Sequence, residues 1–264
     1  MKNDSRSDSG VDLVEALRSI GFRAHADALA AYVAHAHKSR LGPTEMLEQL
    51  ITLERRAREV SNLARRTKLA TVGAVKAIDR FQWGHPRTID RALVERLLAL
   101  DFIDQGDNVL LRGPSGVGKT MIAKALALAA LARGYTVRVC TLAAALADLL
   151  QQESLPAFER RLKRYIAPDL LILDELGYLP CDSRAADLLY QIISRRHEQR
   201  ATVITTNLAF KQWGTVFPGA ACVVALVDRF AQHCHTLDID ADSWREKHAF
   251  DRDEPPRPRR GKRT

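Results

Sequence analysis

Gly113-Pro114-Ser115-Gly116-Val117-Gly118-Lys119-Thr120, written GPSGVGKT, lies near the middle of a 264-residue chain and decides its fold. It leaves Asn108-Val-Leu-Leu-Arg112, an apolar run sized for a buried strand, and opens a helical pattern at 120–133 that Gly134 closes. In that context the pattern G-x-x-x-x-G-K-T describes a phosphate-binding loop rather than a plain turn. Gly113, Gly116 and Gly118 let backbone amides converge on one point without side-chain obstruction. The helix N-terminus adds the positive end of its dipole there. Lys119 then reaches the β- and γ-phosphates of ATP, and the Thr120 hydroxyl ligates Mg²⁺.

Strands and helices alternate beyond the loop. Residues 135–140 (YTVRVC) read as a strand, 142–152 and 156–165 as helices, Leu170-Leu-Ile-Leu-Asp174 as a strand, 183–199 as a helix and 201–206 (ATVITT) as a strand. Such alternation means βαβ units and a mostly parallel sheet covered by helices on both faces, an α/β P-loop fold. Two of these strands end in chemistry at the C-terminal edge, where ligands of open α/β sheets sit. Asp174 is placed to hold the Mg²⁺ shell and Glu175 to polarise an attacking water. Asn207, after the last strand, is placed to bond that water or the γ-phosphate. The Asp-Glu pair favours hydrolysis over transfer. No segment offers the acceptor pocket and lid of a small-molecule phosphotransferase, which is kept as a rival reading.

Ahead of this domain the chain reads as helical. Residues 1–10 are polar and aperiodic, hence expected to be disordered. Helices are expected at 11–20 and 24–38, and a third after Gly42-Pro43 with Thr44 as its N-cap. In the third, Met46, Leu50, Leu53, Ala57, Val60 and Ala64 form one apolar stripe. Off the stripe lie Arg55, Arg56, Arg58, Arg65, Arg66 and Lys68, opposed by Glu54 and Glu59. This is either a solvated face with a Glu54–Arg58 pair, or a face that meets DNA phosphates. Periodicity breaks around 81–86 (FQWGHP). The helical region is therefore drawn as 11–80, the ATPase domain as 81–250, and 251–264 as a disordered Pro-rich basic tail.

The formal net charge of +8 suits a polyanionic partner, nucleic acid above all. No apolar stretch approaches the roughly 20 residues that a membrane span needs, so no membrane association and a cytoplasmic protein are expected. Four cysteines without a CxxC pair argue against a disulfide framework or a zinc site. Asp238-Ile-Asp-Ala-Asp242 mimics the start of a calcium loop, but the sixth-position glycine and twelfth-position glutamate are missing. His233-Cys-His235 has no second pair of ligands to complete a metal site.

In order, GPSGVGKT, LLILDELGYLP, TVITTNLAFKQWG, ALVDRF and DSWR resemble the IstB-type transposition helper ATPases, an AAA+ branch related to the DnaC helicase loader. The resemblance spans roughly residues 44–245, with Trp244 where the branch commonly has tyrosine and Phe230 where it has leucine. It implies that Arg229 is an arginine finger reaching a neighbouring subunit's γ-phosphate, and that Arg245 is a second sensor of bound nucleotide. It also implies an ATP-dependent homo-oligomer on DNA and a transposase as partner. A replicative helicase loader is the alternative within the branch. A nucleotide-dependent scaffold without turnover is a further one, which the intact Glu175 disfavours.

Overall fold

The computed structural model describes residues 8–74, 78–177 and 183–244. Arg245, Cys181 and the basic tail at 251–264 therefore lie outside the described residues. The chain divides into two compact units, residues 1–66 and 67–264.

The first unit contains α1 (Asp8–Ser19), α2 (Ala26–Ser39) and most of α3 (Pro43–Ala70). Helix α1 starts at Asp8, so residues 8–10 are helical where the sequence suggested disorder. Pro43 takes the first position of α3 and Thr44 the second; the fixed φ of proline suits a helix start, so no Thr44 cap is needed. Val14, Ala24 and Leu29 form the small core, and Leu50, Leu53 and Ala57 of α3 pack on it. The apolar stripe stops there, with Val60 70% exposed. His25, at the start of α2, makes no side-chain cap. Glu54 of α3 holds the turn before α2, accepting from the amides of Arg23 (2.9 Å) and Ala24 (3.0 Å). Arg58 donates to Glu54 at 2.5 Å and to the Gly21 carbonyl at 3.1 Å. Burial opposes the Glu54 charge, but these donors outweigh it and hold its carboxyl below the usual range.

The second unit takes over within α3, not near residue 80, because Ala70, Val72 and Phe81 are buried in its own core. It runs β1 (Thr88–Ile89), α4 (Arg91–Ala99), α5 (Asp101–Gln105), β2 (Asn108–Arg112), α6 (Lys119–Arg133), β3 (Val137–Thr141), α7 (Leu142–Leu150), α8 (Leu155–Ile166), β4 (Leu170–Leu176), α9 (Ser183–Arg196), β5 (Ala201–Thr206), α10 (Trp213–Val216), α11 (Val223–Ala231) and β6 (Cys234–Asp240). The six strands lie in the order β1-β6-β2-β5-β4-β3, parallel except where β1 meets β6. The sheet is flanked by helices, and the glycine-rich loop joins β2 to α6.

Strands buried on both faces need apolar residues at successive positions. Val109, Leu111, Ile172 and Val203 accordingly point into one cluster with α4, α5 and α6. Leu110, Leu171, Leu173 and Ile204 point into the other, with α7, α8, α9 and α11. β6 carries Asp238 and Asp240 of the calcium-loop mimic, yet it is a strand. Its burial alternates instead, Leu237 and Ile239 inward against exposed Thr236, Asp238 and Asp240.

Side chains lock the N-terminal edge of the sheet. Asn108 donates to the Phe230 carbonyl at 3.0 Å and accepts from the Thr202 amide at 3.2 Å. Arg196, 1% exposed, donates to the carbonyls of Tyr165 (3.0 Å) and Pro168 (2.7 Å) and to the Thr202 hydroxyl. Burial, with the nearby Arg200 charge, lowers its pKa to about 9, so it stays charged at neutral pH. The opposite, C-terminal edge is left for function.

Candidate active site

Three neighbouring strands, β2, β5 and β4, bring their C-terminal ends to one place. β2 delivers the glycine-rich loop. Gly118 caps the start of α6 with φ +103, a conformation costly for any residue with a side chain. A Cβ there would also stand 2.5 Å from the Phe81 ring. The first amides of α6 have no acceptor within the helix, which is what an anion requires of such a site. Lys119 is only 6% exposed, and its ammonium donates to the carbonyls of Gly113 (2.7 Å) and Pro114 (2.6 Å).

β4 delivers the carboxylates. Asp174 Oδ1 accepts from the Thr120 hydroxyl at 3.1 Å, so the two groups read from separate motifs do meet. A hydroxyl and a carboxylate so close are hard oxygen donors that fit Mg²⁺, whose other ligands are then phosphate and water. Among the described residues no group of three or more His, Cys, Asp or Glu could hold a metal by itself. Next to Asp174, Glu175 is exposed and has φ +68. Leu173 pairs with Ile204 and Leu176 with Thr206, so β4 carries one more residue than β5 there, a β-bulge.

β5 lies between them. Thr206 donates to the Leu176 carbonyl at 2.8 Å and accepts from the Leu208 amide at 3.0 Å, which holds the turn carrying Asn207. Gly177, φ +97, lets β4 end against that turn: a Cβ there would lie 3.3 Å from Asn207 Oδ1 and 2.6 Å from Leu208. Thr205 was missed in the sequence. Its hydroxyl donates to Asp174 Oδ1 and accepts from the Glu175 amide at 2.9 Å.

Beside Gly116 and Gly118 opens a cavity of about 270 Å³ lined by Phe81, His85, Met121 and Trp244. His85 donates from Nε2 to the Asp242 carbonyl at 2.9 Å and packs edge-on to Trp244, ring centres 4.7 Å apart. A larger apolar hollow of about 610 Å³, with Phe210, Phe217 and Val224, borders α11 and holds none of these groups. Arg229, in the last turn of α11, lies over the Tyr190 ring at 5.1 Å. The adjacent Phe230 carbonyl meets Asn108 at the start of β2, whereas the phosphate loop follows the end of that strand. Arg229 is thus not brought together with Lys119, Asp174 and Asn207. Of the basic residues on α3, Arg55, Arg56, Arg65 and Lys68 are exposed, while Arg58 is engaged with Glu54. No helix among the described residues is long and apolar enough to cross a membrane.

A protein of insertion sequence IS21 from Pseudomonas aeruginosa, named as ATP-binding, is 34% identical over 212 residues, 80% of each chain. Its counterpart in insertion sequence IS5376 of Geobacillus stearothermophilus is 30% identical over 223 residues, 83% of this chain and 88% of that one. Among solved structures, a DNA replication initiation factor shares the fold at a TM-score of 0.53 and 18% identity, over 68% of this chain and 55% of that one. The family description "IstB-like ATP binding protein" matches residues 15–251, and the chain belongs to that family.

Proposed function

We propose that this chain is a Mg²⁺-dependent ATPase that assembles on DNA and assists a transposase. The observation that carries the reading is the meeting of Thr120 with Asp174 at 3.1 Å, beside Glu175, on the edge that the phosphate loop caps. Relatives named as ATP-binding proteins of insertion sequences support a role in a mobile element, and the transposase is the partner that the sequence resemblance implies.

In this reading the loop amides of residues 113–118 and the Lys119 ammonium hold the β- and γ-phosphates. Lys119 exchanges its carbonyl partners for phosphate oxygens, a stronger bond because both sides are charged. Thr120 and Asp174 would hold Mg²⁺, whose charge would offset that of the phosphates. Glu175 orients a water and accepts its proton as it attacks the γ-phosphorus, the bond from that phosphorus to the β,γ-bridging oxygen breaks and ADP leaves, and Asn207 steadies the water or the γ-phosphate. The cavity of Phe81, His85 and Trp244 takes the adenine, its aromatic walls stacking on the base. Arg229 lies on α11 over the Tyr190 ring of α9, and in this reading it serves the pocket of the next subunit in a homo-oligomer. Arg245 retains the sensor role that the resemblance implies.

The exposed arginines of α3 contact DNA phosphates in this reading. Such binding carries no base readout and weakens steeply with salt, each neutralised phosphate adding about one to the slope of log affinity against log salt. Arg55→Ala combined with Arg65→Ala is expected to reduce that slope by about two in ATP-supported binding to duplex DNA, measured by fluorescence anisotropy. An unchanged slope removes α3 from the DNA interface. DNA affinity indifferent to ATP removes the coupling.

A further inference from the structure

Thr205 is 1% exposed at the centre of the sheet, yet its hydroxyl faces neither water nor its own strand. It donates to Asp174 Oδ1 and accepts from the Glu175 amide at 2.9 Å. A hydroxyl has one proton to give and lone pairs to receive, so one atom can serve both neighbours. Both bonds fall at the bulge, where Asp174 and Glu175 together oppose Thr205. Glu175 sits there at φ +68, a region that residues with side chains seldom enter. Bulges re-aim the side chains they carry. In this conformation the Glu175 amide is bonded to the Thr205 hydroxyl. Asp174 Oδ1 also accepts from Thr120, so two hydroxyls fix the carboxylate from separate segments of the chain.

We infer that Thr205 is a positioning residue for hydrolysis: its hydroxyl sets the backbone of Glu175 and the orientation of Asp174 together. The inference rests on the reading of this pocket as an ATPase and adds to it a residue on the middle strand. Valine has nearly the shape of threonine and no hydroxyl; serine keeps the hydroxyl and loses a methyl. Groups that orient a catalytic or ligating side chain cost about 10–100-fold when removed.

The experiment compares Thr205→Val and Thr205→Ser with the unaltered chain in three readouts: kcat and KM for ATP, ATP affinity with EDTA in place of Mg²⁺, and amide hydrogen exchange at Glu175 by NMR. The valine variant should lose about 10–100-fold in kcat, keep its KM and EDTA affinity, and exchange the Glu175 amide faster. The serine variant should return all three toward the original. Full kcat in the valine variant overturns the inference, as does a serine variant as slow as the valine. A valine variant whose KM rises while kcat holds overturns it as well, since that marks a structural role alone. An unaltered chain that binds ATP without turnover overturns the ATPase reading and the positioning role with it; the exchange readout then reports the Thr205–Glu175 bond separately.

Discussion

Arg229→Ala is expected to bind ATP as the unaltered chain does and to hydrolyse it about 10³–10⁵-fold more slowly. A guanidinium neutralises charge that builds on the transferred phosphoryl oxygens, and being planar and always protonated it does so without reorganising. Arg229 sits one residue before Phe230, whose carbonyl bonds Asn108 at the start of β2. The phosphate loop begins after Arg112, at the other end of the same strand. Four strand steps of about 3.3 Å each separate the two levels. In the proposed reading a finger placed there serves another subunit, and mixing separates that role from one within the chain. Lys119→Ala keeps the guanidinium and loses the phosphate clamp; Arg229→Ala keeps the clamp and loses the guanidinium. Mixed, the two inactive variants should regain measurable ATPase. A mixture no faster than its parts would sink the in-trans role of Arg229.

Glu175→Gln is expected to bind ATP nearly unchanged and to turn it over roughly 10²–10⁴-fold more slowly. The amide can still bond a water but cannot take its proton. In an ATP-dependent oligomer that hydrolysis takes apart, this variant should stay a large complex with ATP and duplex DNA in size-exclusion chromatography. The unaltered chain should return to smaller species as its ATP is used. A Glu175→Gln chain that stays monomeric under these conditions contradicts ATP-dependent assembly. Turnover at the original rate contradicts the role of Glu175.

The parts of this site that follow from spacing within one segment were legible in the sequence. GPSGVGKT after an apolar strand, and Asp174-Glu175 closing another, each needs only its own neighbours to be read, and Thr120 and Asp174 do meet. What depends on pairing between strands was not legible. The bulge opposite Thr205 exists only in the register of β4 against β5. Nothing in ATVITT alone separates Thr205, which bridges Asp174 and Glu175, from Thr202, which bonds Arg196. β6 was hidden because its exposed aspartates drew a ligand reading, although Leu237 and Ile239 carry the two-residue period of a strand. Glu54 was legible as half of an i,i+4 pair with Arg58. Its larger task, holding the amides before α2, needed the fold.

Calorimetric titration with Mg·ATP of the unaltered chain beside Lys119→Ala bears most directly on whether the three strand ends form one nucleotide pocket. Losing a buried charged partner of a phosphate costs about 2–5 kcal/mol, or some 30- to several-thousand-fold in affinity. One saturable site per chain, weakened by that much in the variant, is the predicted result. Equal binding by both chains, or no heat of binding at millimolar ATP, would contradict it.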